Sequence, residues 1–112
     1  MKIYHNPRCA KSRETLALIE EKGINIEVVE YLKEIPSKET LKSLLNKLGM
    51  KPLQIIRKNE AVFKEKFKGK ELSEEEWLDA MIANPKLIER PIVVKGEKAV
   101  LGRPPENVKE LL

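Results

Sequence analysis

Cysteine and histidine are almost absent from this sequence, which contains one of each among 112 residues. A single cysteine excludes an internal disulfide, and one Cys with one His is too few for a usual zinc site. Aromatic residues make up only 4% of the chain, and no apolar run approaches the length of a membrane span. We therefore expect no bound metal and no membrane partner.

Charge is abundant but is not concentrated on one sign. Charged residues make up 36% of the chain with a net charge of +4, and Lys and Arg are interleaved with Glu. A nucleic-acid binder would more often cluster its cations and place aromatics among them, so we expect no nucleic-acid partner. The length fits a single domain over residues 1–112, which we expect to be a monomer. The N-terminus lacks a signal-peptide pattern and the lone cysteine suits a reducing compartment, so the expected location is cytoplasmic.

The first third of the chain has the pattern of a strand, a helix and a second strand. An N-terminal apolar strand ends at Asn6-Pro7, and a helix is predicted from Ala10 to about Lys22. Gly23 ends this helix, and the second strand is predicted from Ile24 to about Tyr31. Two strands joined by a helix should be parallel, with a right-handed crossover.

Helices dominate the middle of the chain, and a hairpin follows them. Ser37 is a predicted N-cap, and Gly49 ends the helix that it starts; its apolar face is Leu41, Leu44, Leu45 and Leu48. Further helices are predicted within 60–70, from the capping box at Ser73 to Asn84-Pro85, and after Arg103. Gly96 suits a type II′ turn between strands at 92–94 and 99–101. The order predicts an α/β, thioredoxin/glutaredoxin-like fold: a small mixed sheet (β-α-β … β-β-α) with a helical insertion between the halves.

The only cysteine lies at the predicted N-terminus of the first helix. There, unpaired backbone N–H groups and the helix dipole favour an anion, and Arg8, Lys11 and Arg13 are close in sequence. We therefore predict a lowered pKa for Cys9, whose thiolate is the nucleophilic form. Cys9-Ala10-Lys11-Ser12 is a C-x-x-S variant of the C-x-x-C redox motif.

Three neighbours of Cys9 are second-rank candidates. His5 lies four residues away across the turn, and as protonated imidazole it would stabilise a thiolate. Asn6 and Ser12 could cap the turn and the helix, or donate a hydrogen bond to the sulfur.

Several blocks of this sequence resemble the glutaredoxin-coupled arsenate reductases. The matching blocks are Tyr4-His5-Asn6-Pro7-x-Cys9 with Ser12-Arg13, then Arg57-Lys58-Asn59, Arg90-Pro91-Ile92-Val93-Val94 and Leu101-Gly102-Arg103-Pro104. The resemblance implies that Cys9 attacks arsenate. It also implies that Arg57, Arg90 and Arg103 hold the oxyanion, that His5 helps to set the ionisation of the cysteine, and that Pro91 is a cis-proline facing the cysteine.

A single cysteine also constrains how an arsenic adduct could be resolved. Ser12 cannot form a disulfide, so an outside thiol such as glutathione must act as co-substrate. The resemblance likewise implies glutathione and glutaredoxin as partners, with no tightly bound cofactor. A phosphatase-like reductase would need C-x5-R, and the corresponding position holds Thr15. The alternatives that stay open are an Spx-like transcriptional regulator, a glutathione-linked thiol oxidoreductase, and an enzyme acting on another oxyanion.

Overall fold

The computed structural model describes residues 1–112, which group into two compact units. The first unit consists of Met1–Glu34 and Arg90–Leu112, and the second of Ile35–Glu89. The long helical segment is thus inserted between the two parts of the chain that build the sheet, as the element order predicts.

The first unit contains a four-stranded sheet in the order β2-β1-β3-β4. The strands are β1 (Lys2–His5), β2 (Glu27–Glu30), β3 (Ile92–Lys95) and β4 (Lys98–Leu101). Strands β1 and β2 are parallel, whereas β3 runs antiparallel to both β1 and β4. The predicted mixed sheet is therefore confirmed. The carboxyl ends of β1, β2 and β4 and the start of β3 all lie at one edge.

Helix α1 (Ala10–Glu21) and a 3₁₀ helix (Pro105–Leu111) belong to the same unit as the sheet. Three buried apolar residues of these helices form one cluster with two strand residues: Ile3, Ile19, Val93, Val108 and Leu111. Burying each such side chain contributes about 1.5–3 kcal/mol. This cluster holds α1 against the sheet and thereby fixes the position of its N-terminus.

Two sequence expectations in this unit need correction. The second strand is shorter than predicted, because Ile24 and Ile26 precede it and pack against the core from the loop. The last helix is 3₁₀ rather than α-helical. The hairpin agrees with the prediction: Lys95 pairs with Lys98, and Gly96 alone in the turn has a positive φ, of 60°, as type II′ requires.

The second unit is helical. It contains α2 (Lys38–Leu48), α3 (Ala61–Lys66), α4 (Glu74–Ala83) and 3₁₀ helices at Pro52–Ile55 and Pro85–Leu87. Ser37 and Ser73 cap α2 and α4 as predicted, each accepting a hydrogen bond from the backbone N–H three residues later. The buried Trp77 ring stacks on the Phe63 ring at 6.0 Å between centroids and belongs to the core of this unit. None of the helices in either unit is long and apolar enough to cross a lipid bilayer.

Candidate active site

The turn between β1 and α1 places Cys9 at the N-cap position of the helix. Asn6 shapes this turn, because its backbone carbonyl accepts the Cys9 N–H at 3.0 Å and its Oδ1 accepts the Arg8 N–H at 3.0 Å. Asn6 is buried, whereas Cys9 is partly exposed. Asn6 thus caps the turn through its backbone carbonyl and its side chain, and Cys9 keeps part of its surface exposed.

Ser12 and His5 form a buried polar pair behind the turn. The Ser12 hydroxyl lies 2.6 Å from His5 Nδ1 and accepts the Asn6 backbone N–H at 3.1 Å. Burial lowers the pKa of His5, as does the charge of Arg13, while Glu30 acts in the opposite direction. The net shift favours neutral imidazole. The structure thus gives His5 a contact with Ser12, and it does not favour the protonated imidazole that we expected beside the thiolate.

Two distant arginines meet beside the sulfur. Strand residues Ile92 and Leu101 are register partners, so the residues that flank the hairpin, Arg90 and Arg103, emerge opposite each other. Arg103 Nη1 donates to the Arg90 carbonyl at 3.1 Å and lies 3.7 Å from Cys9 Sγ. The Arg90 side chain also forms a hydrogen bond with Cys9.

Each of these arginines precedes a cis peptide bond, Arg90-Pro91 and Arg103-Pro104. The cis form expected at Pro91 is therefore confirmed. The second cis bond was not predicted.

The pKa of Cys9 is lowered, as the sequence predicts, but by different groups. Burial acts to raise the pKa, and it is outweighed by the backbone N–H of Ser12, the hydrogen bond and charge of Arg90, and the hydrogen bond of Arg103. The two cations that follow Cys9 in the sequence form contacts with other groups. Arg13 donates to the Pro7 carbonyl at 2.9 Å, and Lys11 pairs with Glu14 at 3.8 Å.

Arg57 belongs to the second compact unit. Its guanidinium lies 3.3 Å from Glu60 Oε1 and 3.7 Å from Glu89 Oε2, and its backbone N–H donates to the Leu87 carbonyl. These contacts hold the arginine in a partly buried position within that unit. Its proposed role in oxyanion binding stays a prediction.

Sequence reasoning missed the contact that links α1 to the arginine-bearing segments. Thr15, fully buried, donates its hydroxyl to the Lys11 carbonyl at 2.8 Å and lies 3.3 Å from the Gly102 carbonyl. The Gly102 N–H in turn donates to the Pro91 carbonyl at 2.9 Å. Gly102 was only part of a matching block, and no local pattern could have paired it with a threonine 87 residues away.

The chemistry of this arrangement is that of a nucleophile beside an anion site. The thiolate at the helix N-terminus accepts a hydrogen bond from the backbone N–H of Ser12, and two guanidinium groups lie beside it, where their charge favours an anion. No group of three or more His, Cys, Asp or Glu side chains is arranged to hold a metal ion.

Comparison with known proteins gives consistent similarities. The model of the ArsC family matches residues 4–111. An uncharacterised protein of Escherichia coli, YfgD, is 51% identical, with 100% of this chain and 96% of the relative covered. The arsenate reductase of Haemophilus influenzae is 46% identical, with 98% and 97% covered. The structure of an arsenate reductase from Vibrio cholerae superposes with a TM-score of 0.95 at 49% identity, covering 100% of this chain and 98% of that one.

Proposed function

Since this chain belongs to the ArsC family, we propose that it is an arsenate reductase in which the Cys9 thiolate attacks arsenate. The convergence of Arg90 and Arg103 on the sulfur carries this proposal, with Arg103 Nη1 lying 3.7 Å from Cys9 Sγ. Two guanidinium groups beside a thiolate supply the charge that a tetrahedral oxyanion needs in order to approach it.

The first step is neutralisation of the substrate's charge. Arsenate at neutral pH is a multiply charged tetrahedral anion that repels a thiolate. Arginine stays charged, and its planar fork binds two oxyanion oxygens at once. In this proposal Arg90 and Arg103 hold the oxyanion beside Cys9, and Arg57 is assigned the same role from the family resemblance.

The second step is nucleophilic attack. The Cys9 sulfur forms a bond to arsenic, and one arsenic–oxygen bond breaks as that oxygen takes up protons and leaves as water. Arsenic is still As(V) in this adduct. The lowered pKa of Cys9 keeps its sulfur in the nucleophilic form, while neutral His5 and Ser12 hold the turn in position.

The third step is reduction by an external thiol, because the chain has one cysteine. A glutathione thiolate attacks the Cys9 sulfur and forms a sulfur–sulfur bond. The sulfur–arsenic bond breaks, and its electron pair stays with arsenic, which is thereby reduced and leaves as arsenite. Glutaredoxin then reduces the mixed disulfide. A reaction that consumes glutathione and glutaredoxin fits the reducing cytoplasm, which is the location we propose.

The test is arsenate-dependent NADPH oxidation with glutathione, glutaredoxin and glutathione reductase supplied. We expect turnover in the wild type and none in Cys9→Ser. Arg103→Ala should raise the KM for arsenate by about tenfold or more, since it removes a charge-assisted contact. Lys22→Ala is the matched control, because Lys22 is an exposed cation at the far end of α1.

Absence of turnover in the wild type would reject arsenate as the substrate. If the wild type shows no turnover while iodoacetamide still modifies Cys9 well below the ordinary thiol pKa of about 8.5, arsenate is not the substrate. The protein would then be a thiol protein with another target.

A further inference from the structure

A pocket of about 240 Å³ lies beside the Cys9 turn and has no role in the oxyanion site described above. Two segments of the first unit form it, the turn directly before Cys9 and the end of β2 with the residues that follow. Its lining residues are His5, Asn6, Pro7, Arg8, Glu30, Leu32 and Lys33. The pocket is therefore contiguous in sequence with the nucleophile.

The order of strands places this pocket and the two arginines on opposite sides of the turn. His5 and Glu30 are register partners at the ends of β1 and β2, so the pocket lies on the β2 side. Arg90 precedes β3 and Arg103 follows β4, on the other side of β1. All four strand ends meet at the same sheet edge, with the Cys9 turn between the pocket and the arginines.

The reducing step requires the incoming thiol and the departing arsenic to lie on opposite sides of the Cys9 sulfur. A thiolate that displaces arsenic from the Cys9 sulfur attacks in line, opposite the bond that breaks. Because Arg90 and Arg103 hold the arsenic on the β3–β4 side, the incoming thiol must approach from the β2 side. The pocket lies on that side.

The charges around the pocket indicate the kind of thiol that fits. Arg8 and Lys33 are exposed cations, and the Lys33 side chain is 80% exposed. Glu30 Oε1 lies 3.7 Å from Lys33 Nζ and supplies one carboxylate. A γ-glutamyl tripeptide thiol carries two carboxylates and one ammonium group, so each of its charges has an opposite partner here.

We propose that the pocket formed by residues 5–8 with Glu30, Leu32 and Lys33 binds the reducing thiol, an anionic peptide thiol of the glutathione class, and directs it at the face of the Cys9 sulfur opposite the arginines. This inference rests on the proposed function. In the step that it serves, the bound thiolate forms the sulfur–sulfur bond, the sulfur–arsenic bond breaks, and arsenic takes the electron pair and is reduced to As(III).

Binding can be measured without turnover, using S-methylglutathione as a probe that cannot reduce anything. Titrated into 15N-labelled wild type, it should shift the amide signals of residues 5–6, 8 and 30–33. The double variant Arg8→Ala/Lys33→Ala should weaken binding by about tenfold, and the matched exposed cation variant Lys22→Ala should not. Shifts centred instead on residues 90–104, or no saturable binding, would overturn the pocket assignment.

Kinetics gives a second, independent readout. The double variant should raise the KM for glutathione by about tenfold and leave the KM for arsenate in place. With 2-mercaptoethanol, an uncharged thiol, as reductant, its rate should match that of wild type. A rise in both KM values would overturn the proposal.

The two hypotheses fail separately. Loss of arsenate turnover with intact S-methylglutathione binding at the pocket would reject the substrate and keep the thiol site. Arsenate turnover with S-methylglutathione bound outside the pocket would keep arsenate as the substrate and reject the thiol site.

Discussion

Replacing Gly102 by alanine should disturb both the stability of the fold and the ionisation of Cys9. A Cβ at this position would lie 2.5 Å from Thr15 Oγ1, 2.7 Å from Pro91 Cγ and 2.9 Å from Thr15 Cγ2. Both neighbours are fully buried, and the proline ring cannot rotate away. Overpacking of this kind costs about 1–3 kcal/mol, and a glycine-to-alanine change returns only about 0.4–1 kcal/mol through the unfolded chain. The steric term therefore wins, and the free energy of unfolding should fall by about 1–2 kcal/mol.

The same change should raise the pKa of Cys9. The Gly102 N–H donates a hydrogen bond to the carbonyl of Pro91, which follows Arg90, and Gly102 directly precedes Arg103. A shift of the Gly102 backbone away from α1 therefore moves both arginine-bearing segments relative to the sulfur. Urea denaturation measures the first effect, and the pH dependence of iodoacetamide alkylation measures the second. Unchanged stability together with an unchanged alkylation profile would refute the reasoning.

A double-mutant cycle with Thr15→Ala tests the cause. That substitution removes two of the three nearest atoms, so the combined destabilisation should be less than the sum of the single changes. Thr15→Val keeps the shape and loses the hydroxyl with its hydrogen bonds to the Lys11 and Gly102 carbonyls, which separates hydrogen bonding by Thr15 from the steric contact. Additive single and double variants would show that the two residues do not interact energetically.

Three further outcomes are expected. Arg103→Ala should raise the pKa of Cys9 in alkylation titrations, because it removes the hydrogen bond at 3.7 Å; an unshifted profile would contradict the contact. The pKa of Cys9 is lower in the folded protein than in the unfolded chain, so ionised Cys9 stabilises the fold. This stabilisation is fully present above about pH 8.5 and is lost as the pH falls through the folded pKa. The stability difference between wild type and Cys9→Ala, from urea denaturation, should grow as pH rises; a constant difference would argue against the shift. Ser73→Ala should cost about 1 kcal/mol through loss of the α4 cap, and Ser43→Ala, exposed inside α2, should cost nothing; equal effects would exclude the capping explanation.

Capping residues and glycines at the ends of helices made most elements of this fold predictable. Ser37 and Gly49 mark the two ends of α2. The Ser37 side chain caps the first turn, and Gly49 adopts the left-handed conformation at the end, with φ of 67°. Cys9 was placed correctly at the N-terminus of α1 for the same kind of reason. The start of β2 was misplaced, because Ile24 and Ile26 are apolar for packing and not for strand pairing.

The pairing of Arg90 with Arg103 was within reach of sequence reasoning. Once Gly96 fixes a two-residue turn, the register makes Ile92 oppose Leu101, and the flanking arginines follow. Their approach to Cys9 was not within reach, because it depends on β3 pairing with β1 across the whole helical insertion. Only the family resemblance indicated it.

The nearby cations were the wrong source of activation for a physical reason. Arg13 and Lys11 lie in the first turn of α1, where the positive end of the helix dipole repels them, and their side chains turn to the Pro7 carbonyl and to Glu14 instead. Arg90 and Arg103 reach the sulfur only after β1, β3 and β4 have paired. The depressed pKa of Cys9 thus requires the folded chain, because it depends on the backbone N–H of Ser12 in α1 and on the two arginines that the sheet positions. In the unfolded chain this cysteine is an ordinary thiol. In the proposed function, the same two guanidinium groups lower the pKa of Cys9 and hold the oxyanion, so their share in activating the nucleophile arises together with the substrate site.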